Sequence, residues 1–300
     1  MTKTENNILL FSITLCWSAS YIFIKNLPED FSSYAYLTMT TGIAAVLMTA
    51  IFWKKMHTIQ KRTWIKGFFL SVLLSLNLLA EKKGILYLVP SDASFLSSLT
   101  IIIVPVLLLF FHHKPTKNHV LGAGIILLGL CVGSGFKINI FHNKGSLYML
   151  AGCVCSAVYT IAVERYSKEE NPVLLCIVQM IFTALLGFVL WYKEEPLTFW
   201  NIHYTKELLS NIFVLAFFTK AYAYIVLMYS QRYTDAISVT VIASMEPVVT
   251  LLLALVLPAA YGGNYAFNVA SALGAVIITL GAVVAGLQFL SGGERNAGEN

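Results

Sequence analysis

Long apolar segments separated by short polar connections fill nearly the whole chain. Each segment has close to the roughly 20 residues that a helix needs to cross a bilayer. Because backbone groups in lipid must be paired, and barrel strands have only about 10 residues, the pattern predicts membrane-spanning helices. The ten predicted spans are residues 7–25, 31–53, 67–89, 92–111, 118–136, 145–166, 172–192, 208–230, 235–258 and 264–289.

The composition agrees with a chain that lies in a lipid bilayer. Of its 300 residues, 58% are hydrophobic and 12% are charged, and the mean hydropathy is +0.75. Soluble domains carry roughly 25% charged residues. The sequence therefore predicts an all-α integral membrane protein whose function lies within its helices, since no hydrophilic stretch is long enough for a separate domain.

Two halves of the chain carry the same landmarks in the same order. Residues 121–135 read LGAGIILLGLCVGSG, and residues 273–286 read LGAVIITLGAVVAG. Four pairs of landmarks are separated by 138, 143, 142 and 152 residues, so we predict a first repeat at 1–140 and a second at 141–300. The four pairs are Ser18 with Ser156, Asp92 with Asp235, Pro105 with Pro247, and Leu121 with Leu273.

Five spans in each repeat make the second repeat enter the membrane from the opposite side. Such 5+5 inverted-topology repeats place a binding site near the midplane and expose it to each side in turn. Predicted loops and helix ends on the side of the termini hold 12 basic residues and those on the other side hold 5, which favours cytoplasmic termini in the cell membrane. A signal peptide ending near Ser20 is the alternative for the first span.

Several motifs resemble the drug/metabolite transporter superfamily and its EamA-type ten-helix members. They are Ser18-Ala19-Ser20-Tyr21, Ser156-Ala157-Val158-Tyr159, Asp92-Ala93-Ser94-Phe95-Leu96, Val104-Pro105, Met245-Glu246-Pro247-Val248, and the glycines 122, 129, 274 and 281. The chain departs from that pattern at 112–114 and 259–262, where many members carry a Gly-Glu pair. The resemblance implies a secondary transporter of small organic solutes, often an exporter of amino acids or related metabolites.

Charged residues inside spans are candidates for function because each costs about 2.5–3.5 kcal/mol at a helix centre. Glu81, Lys82 and Lys83 lie in the outer half of the third span. Glu81 is predicted to bind a cation or carry a proton, and a structural Glu-Lys pair or a solvated helix end is the alternative. Lys82 and Lys83 are predicted to reach the outer surface through their flexible side chains.

Lys220 lies at the centre of the eighth span, and its counterpart at the 143-residue spacing is Asn77. The lysine is predicted to bind a substrate carboxylate or to exchange a proton. A structural pair with Glu81 or Glu246 is the alternative. Glu246 precedes Pro247, so it is either a coupling site for a proton or cation, or part of a structural hinge.

Aromatic residues complete the predicted site. Trp17 and Tyr21 lie four residues apart and share a helix face, as do Lys220 and Tyr224. With Tyr159 they could stack on a planar solute or hold an ammonium by cation–π attraction, although packing or an interfacial position is the favoured explanation for any one of them. Gln179 joins the candidates, and an interhelical hydrogen bond is its favoured explanation.

Small residues in the fifth and tenth spans predict close helix packing. Gly129 and Gly133 match Gly281 and Ala285, and these helices pack either on each other or at a dimer interface, so a monomer and a homodimer both stay open.

No Gly-Lys dipeptide of a P-loop and no hydrolase motif occurs, and the five cysteines all lie in spans. We therefore predict no enzyme, cofactor, metal or nucleic-acid partner. The favoured function is a secondary active transporter that moves a small polar or amphiphilic metabolite outward, coupled to protons. The alternatives are an importer of an organic cation, a non-transporting sensor or assembly subunit, and a channel or lipid flippase.

Overall fold

The computed structural model describes residues 2–110, 115–133, 135, 143–257 and 269–291. Every regular element within these ranges is helical. In chain order the helices are α1 (Lys3–Lys25), α2 (Ser33–Ile51), α3 (Trp53–Met56), α4 (Lys61–Tyr87), α5 (Pro90–Ser97), α6 (Thr100–Phe110), α7 (Lys117–Gly133), α8 (Lys144–Glu169), α9 (Pro172–Glu194), α10 (Pro196–Trp200), α11 (Lys206–Val214), a π-helix (Leu215–Tyr222), α12 (Ala223–Gln231), α13 (Ala236–Ala243), α14 (Glu246–Val256) and α15 (Val269–Ser291).

Eight helical stretches are long and apolar enough to span a membrane, and α7 and α15 add two shorter apolar helices. Three of the eight stretches are composite, because α5 joins α6, α11 joins α12 through the π-helix, and α13 joins α14. The predicted all-α membrane fold, with five spans in each half, is therefore confirmed. The ends that we predicted at residues 111, 136, 258 and 264 lie outside the described ranges.

Local sequence signals explain where several helices begin. Thr2 and Glu5 form a reciprocal cap at the start of α1, with the Thr2 amide donating to Glu5 at 2.8 Å. The side chain of Asn171 caps α9 ahead of Pro172, whose missing N–H costs nothing at the first helical position. The Asp235 carboxylate accepts the Ser238 amide at 2.7 Å and starts α13.

The glycine-rich helices α7 and α15 pack directly on each other. A Cβ atom added to Gly274 would lie 2.4 Å from the Gly133 Cα, and one added to Gly129 would lie 2.9 Å from the Gly274 carbonyl oxygen. One added to Gly122 would lie 2.5 Å from the Ala285 Cβ. The two glycine motifs thus pack on each other inside one chain, and the choice between a monomer and a homodimer stays a prediction.

Two spans that we predicted as continuous helices are broken, and this part of the prediction is wrong. The first break lies at Ser98 and Leu99 between α5 and α6, and the second lies at Ser244 and Met245 between α13 and α14. Serine hydroxyl groups donate hydrogen bonds to backbone carbonyls beside both breaks. Ser98 donates to the Ser94 carbonyl at 3.0 Å, and Ser244 donates to the Val241 carbonyl at 2.6 Å. Such back-bonds loosen the helical ladder, and they accompany both breaks.

Candidate functional site

A cavity lies between the two repeats, at the level of both helix breaks. The volume open to the centre of a water molecule is about 80 Å³, against roughly 10–15 Å³ for one buried water. Side chains from both halves of the chain line it. The lining residues are Trp17, Ser20, Tyr21, Asn77, Glu81, Ser97, Ser98, Thr100, Ile101, Met149, Gly152, Cys153, Ser156, Tyr159, Thr160, Lys220, Tyr224, Leu227, Val239, Thr240, Ala243, Ser244 and Glu246.

Eight of the nine site residues that we predicted from the sequence line this cavity. The exception is Gln179, which is fully buried behind the wall. Its amide oxygen accepts a hydrogen bond from the Tyr159 hydroxyl at 3.0 Å, so it holds a lining residue in place. The eight are Trp17, Tyr21, Asn77, Glu81, Tyr159, Lys220, Tyr224 and Glu246.

Lys220 is buried in the middle of the π-helix and is only 2% exposed. A π-helical segment is rare and occurs most often at functional sites. The ammonium lies 5.6 Å from the Tyr36 ring centroid and 5.8 Å from that of Tyr224, which gives it two cation–π partners. Tyr36 is a contact that the sequence analysis missed, because nothing in its spacing distinguishes it from the chain's other tyrosines.

The Glu81 carboxylate interacts electrostatically with the Lys220 ammonium but forms no direct ion pair with it. The two groups attract each other, yet no carboxylate in the described ranges lies within 4.0 Å of the Lys220 ammonium. The structural alternative, a closed pair of Lys220 with Glu81 or Glu246, is therefore absent from this conformation. Both charges remain available to a third group in the cavity.

Glu246 is the first residue of α14, immediately after a helix break, and it is tied to α1. The Tyr21 hydroxyl donates to its carboxylate at 3.1 Å, and the Ser18 hydroxyl donates to its backbone carbonyl at 3.1 Å. Thr250 returns a hydrogen bond to the Ser18 carbonyl at 3.5 Å. A carboxylate at a helix start is favoured by the helix dipole, and these contacts join the two repeats at the cavity wall.

Three aromatic rings form a continuous part of the cavity wall. The ring centroids of Trp17 and Tyr224 are 5.7 Å apart, and those of Tyr159 and Tyr224 are 6.0 Å apart with a near-perpendicular arrangement. Tyr21 lies beyond them on α1 and binds Glu246. The predicted aromatic residues thus line one cavity together with Lys220 and Glu246.

Hydroxyl groups at the helix breaks are the main lining residues that the sequence analysis missed. Ser97, Ser98 and Thr100 come from the first break, and Thr240 and Ser244 come from the second. Broken helices at a central cavity are a recurring construction in transporters, where freed backbone groups contact the solute. Hydroxyl-rich stretches at similar depth in both repeats were the available signal.

Lys82 does not reach the outer surface, so that prediction is wrong. Its side chain is fully buried, and its ammonium has no hydrogen-bond partner among the residues the structure describes. The ammonium of Lys25 is close enough to repel it. Lys83 behaves differently, with its ammonium 5.4 Å from the Tyr34 ring and 5.9 Å from the Tyr148 ring.

Lys82→Met is expected to stabilise the protein. A buried ammonium without a partner costs several kcal/mol, and methionine keeps a similar shape without the charge. We expect the free energy of unfolding to rise by about 1–4 kcal/mol. Thermal unfolding of the purified variants measures this, with Lys83→Met as the matched control that loses about 1 kcal/mol or less. A lower unfolding temperature for Lys82→Met would show that the ammonium has a stabilising partner.

Comparison with known proteins places the chain in a family. A model of the EamA-like transporter family matches it twice, over residues 6–134 and 143–287. The chain belongs to the EamA-like transporter family. It is therefore a membrane transporter, and each of its halves carries one copy of the family's repeat.

Two relatives agree with this assignment, and a solved structure agrees with the fold. An uncharacterized transporter of Archaeoglobus fulgidus is 21% identical over 260 residues, which cover 84% of this chain and 80% of that protein. The uncharacterized transporter YyaM of Bacillus subtilis is 23% identical over 209 residues, which cover 67% of this chain and 66% of that protein. A crystal structure with 20% identity superposes with a TM-score of 0.74, covering 98% of this chain and 100% of that one, and supports the fold.

Proposed function

We propose that this EamA-like transporter moves a small polar or amphiphilic metabolite, an amino acid or a related compound, outward across the cell membrane by alternating access. The supporting observation is that Lys220 and Glu81 face one cavity between the repeats with no ion pair closed between them. A solute that carries both a carboxylate and an ammonium would satisfy both charges.

Each lining group has a role in this proposal. Lys220 binds the carboxylate of the solute, and Glu81 binds its ammonium. Trp17 and Tyr224 cover the apolar part of the solute and add cation–π attraction. Hydroxyl groups at the two helix breaks provide hydrogen bonds that differ between the two conformations, so the solute is released when the breaks move.

Glu246 is the proposed coupling residue. It lies on the cavity and on the contact between α1 and α14, where Tyr21 and Ser18 hold it. A proton on this carboxylate would weaken its hold on the Tyr21 hydroxyl and thereby favour movement between the repeats. Inward movement of protons in exchange for the outgoing solute would supply the energy for export from the gradient across the membrane.

The proposed orientation in the cell membrane places both termini in the cytoplasm. The excess of basic residues on the side of the termini, 12 against 5, supports that orientation.

Uptake of an organic cation is the second candidate function. The cavity has two carboxylates, Glu81 and Glu246, against one ammonium, and its wall is aromatic. These features suit a quaternary amine, which carries no carboxylate for Lys220.

A set of matched solutes separates the two candidates. The unfolding temperature of the purified transporter is measured in the presence of each amino acid. Each amino acid that raises this temperature is then compared with its amide and with its deaminated acid. We expect the parent amino acid to stabilise by about 2.7 kcal/mol at 100 times its Kd, and both derivatives to lose most of this effect. Stabilisation by quaternary amines and amides alone would favour cation uptake. No stabilisation by any solute, together with no flux in proteoliposomes, would favour a sensor.

A further inference from the structure

A compact group of charged side chains joins α4 to α8 at the end of the bundle where the chain begins. The Lys66 ammonium lies 2.7 Å from the Glu169 carboxylate and 2.6 Å from that of Glu170. The Thr63 hydroxyl donates to Glu170 at 2.7 Å. We call these four residues the clasp.

The clasp is more than a pair of exposed surface charges. The side chains of Lys66 and Glu170 are only 17% and 7% exposed. The ammonium also lies 5.6 Å from the ring of Tyr166, and Glu170 accepts two hydrogen bonds, from Lys66 and from Thr63. Partly buried, multiply bonded charges lose less to solvent and salt than isolated surface pairs.

The charges of the clasp oppose the dipole of their own helix and attract the charges on the other helix. Basic residues gather near the N-terminus of α4, where the helix dipole is positive, and Glu169 and Glu170 end α8, where it is negative. These basic and acidic residues are therefore unfavourable at their own helix ends, although Lys168 in the last turn of α8 is favourable there. The contact of Lys66 with Glu169 and Glu170 offsets these penalties, so it stabilises the state in which the two ends meet.

In the described ranges, the opposite end of the bundle has no equivalent ion pair. The inverted repeat relates α4 and α8 to α11 and α1, whose corresponding ends carry Lys206 and Glu207 on α11 and Lys25 on α1. Glu207 and Lys25 follow the ordinary preference of the helix dipole, and among the residues that the structure describes no ion pair joins these two helices. Lys25 instead donates to the carbonyls of Ile85 and Leu86 on α4.

We propose that the clasp sets the conformational equilibrium of the transporter by holding α4 and α8 together on the side of the termini. Any conformation that opens the cavity between these ends must break it. The clasp thus biases the resting protein against opening on that side, and a solute must compensate for its loss. This inference rests on the proposed alternating access, and it concerns a contact outside the binding cavity.

The test uses the native thiol of Cys153, which is 3% exposed and lines the cavity. A membrane-impermeant maleimide is added to vesicles of known sidedness, and peptide mass spectrometry measures the modification rate of Cys153. For Lys66→Gln we expect the rate from the side of the termini to rise about 5-fold or more, within the range of ordinary conformational couplings. The rate from the other side is expected to fall.

Two further variants make the result specific. Lys168→Gln breaks an ion pair of 2.7 Å with Glu164 inside α8, so it is the matched control and should leave both rates unchanged. Exchanging the charges in Lys66→Glu with Glu170→Lys should return the rate towards the wild-type value. Thermal unfolding of each variant shows whether the fold is retained.

The outcomes distinguish the clasp from the proposed function. An unchanged or slower rate in Lys66→Gln, or an equal rise in Lys168→Gln, would overturn the role of the clasp while leaving alternating access intact. No modification of Cys153 from the side of the termini in Lys66→Gln would likewise overturn the role of the clasp, whereas alternating access itself is tested separately by solute counterflow.

Discussion

Lys220→Met is expected to abolish transport while leaving a folded, membrane-inserted protein. The substitution removes the single ammonium on the cavity wall and keeps a side chain of similar length. Loss of one partner from a desolvated, hydrogen-bonded charge pair costs about 2–5 kcal/mol. At 1.4 kcal/mol for each factor of ten, the solute's binding should weaken by roughly 30-fold to several thousand-fold.

The loss of transport in Lys220→Met should not be accompanied by a loss of stability. The Lys220 ammonium is buried with cation–π contacts and no close carboxylate in the described ranges, so its removal takes away an expensive charge. We expect the unfolding temperature to stay within a few degrees of wild type or to rise. Functional residues commonly show this opposition between activity and stability.

Lys82→Met is the matched control for the transport measurement. Both lysines are buried in composite or long spans, but Lys82 does not line the cavity. Flux of a radiolabelled solute into proteoliposomes should therefore be lost in Lys220→Met and retained in Lys82→Met. Equal flux in the two variants would show that Lys220 does not bind the solute.

Gly274→Ala is expected to lower the free energy of unfolding by about 1–3 kcal/mol or more. The new Cβ would meet backbone atoms of Gly129 and Gly133 at 2.4–2.6 Å, and backbone cannot move aside as a flexible side chain can. The α7–α15 interface must then separate along its length. Thermal unfolding and monodispersity in detergent measure the effect.

Gly124→Ala is the control on the facing helix. A Cβ added at Gly124 meets no atom within 4 Å, so the substitution adds helix propensity, worth about 1 kcal/mol, without a clash. We expect it to be neutral or slightly stabilising. If Gly274→Ala were as well tolerated as Gly124→Ala, the glycines would not determine the spacing of α7 and α15.

The spans and their duplication were predictable because lipid imposes a simple rule on the chain. A helix must cover the bilayer with apolar residues, so hydropathy alone located α1 and α9 to within a few residues. Charge inside a span is costly, which is why Lys220 and Glu81 could be found from the sequence and both lie on the cavity.

The features that were not predictable depend on tertiary contacts or on single local bonds. Hydroxyl back-bonds accompany the breaks at Ser98 and Ser244. Thr40 and Thr183 make the same kind of bond inside unbroken helices, so hydroxyl residues alone do not predict a break. The contact of Tyr36 with Lys220 depends on the packing of α2 against the π-helix, which the sequence does not reveal. Lys82 was misjudged because its distance from the helix end said nothing about the neighbours that bury it.

Counterflow in proteoliposomes tests most directly the claim that the cavity between the repeats carries a solute by alternating access. Vesicles are loaded with an unlabelled amino acid identified by thermal stabilisation, and entry of the same labelled compound is followed at a trace external concentration. The account predicts a transient accumulation of label above equilibrium, which preloading accelerates and Lys220→Met abolishes. Label that only equilibrates, at a rate independent of preloading, would contradict it and indicate a channel.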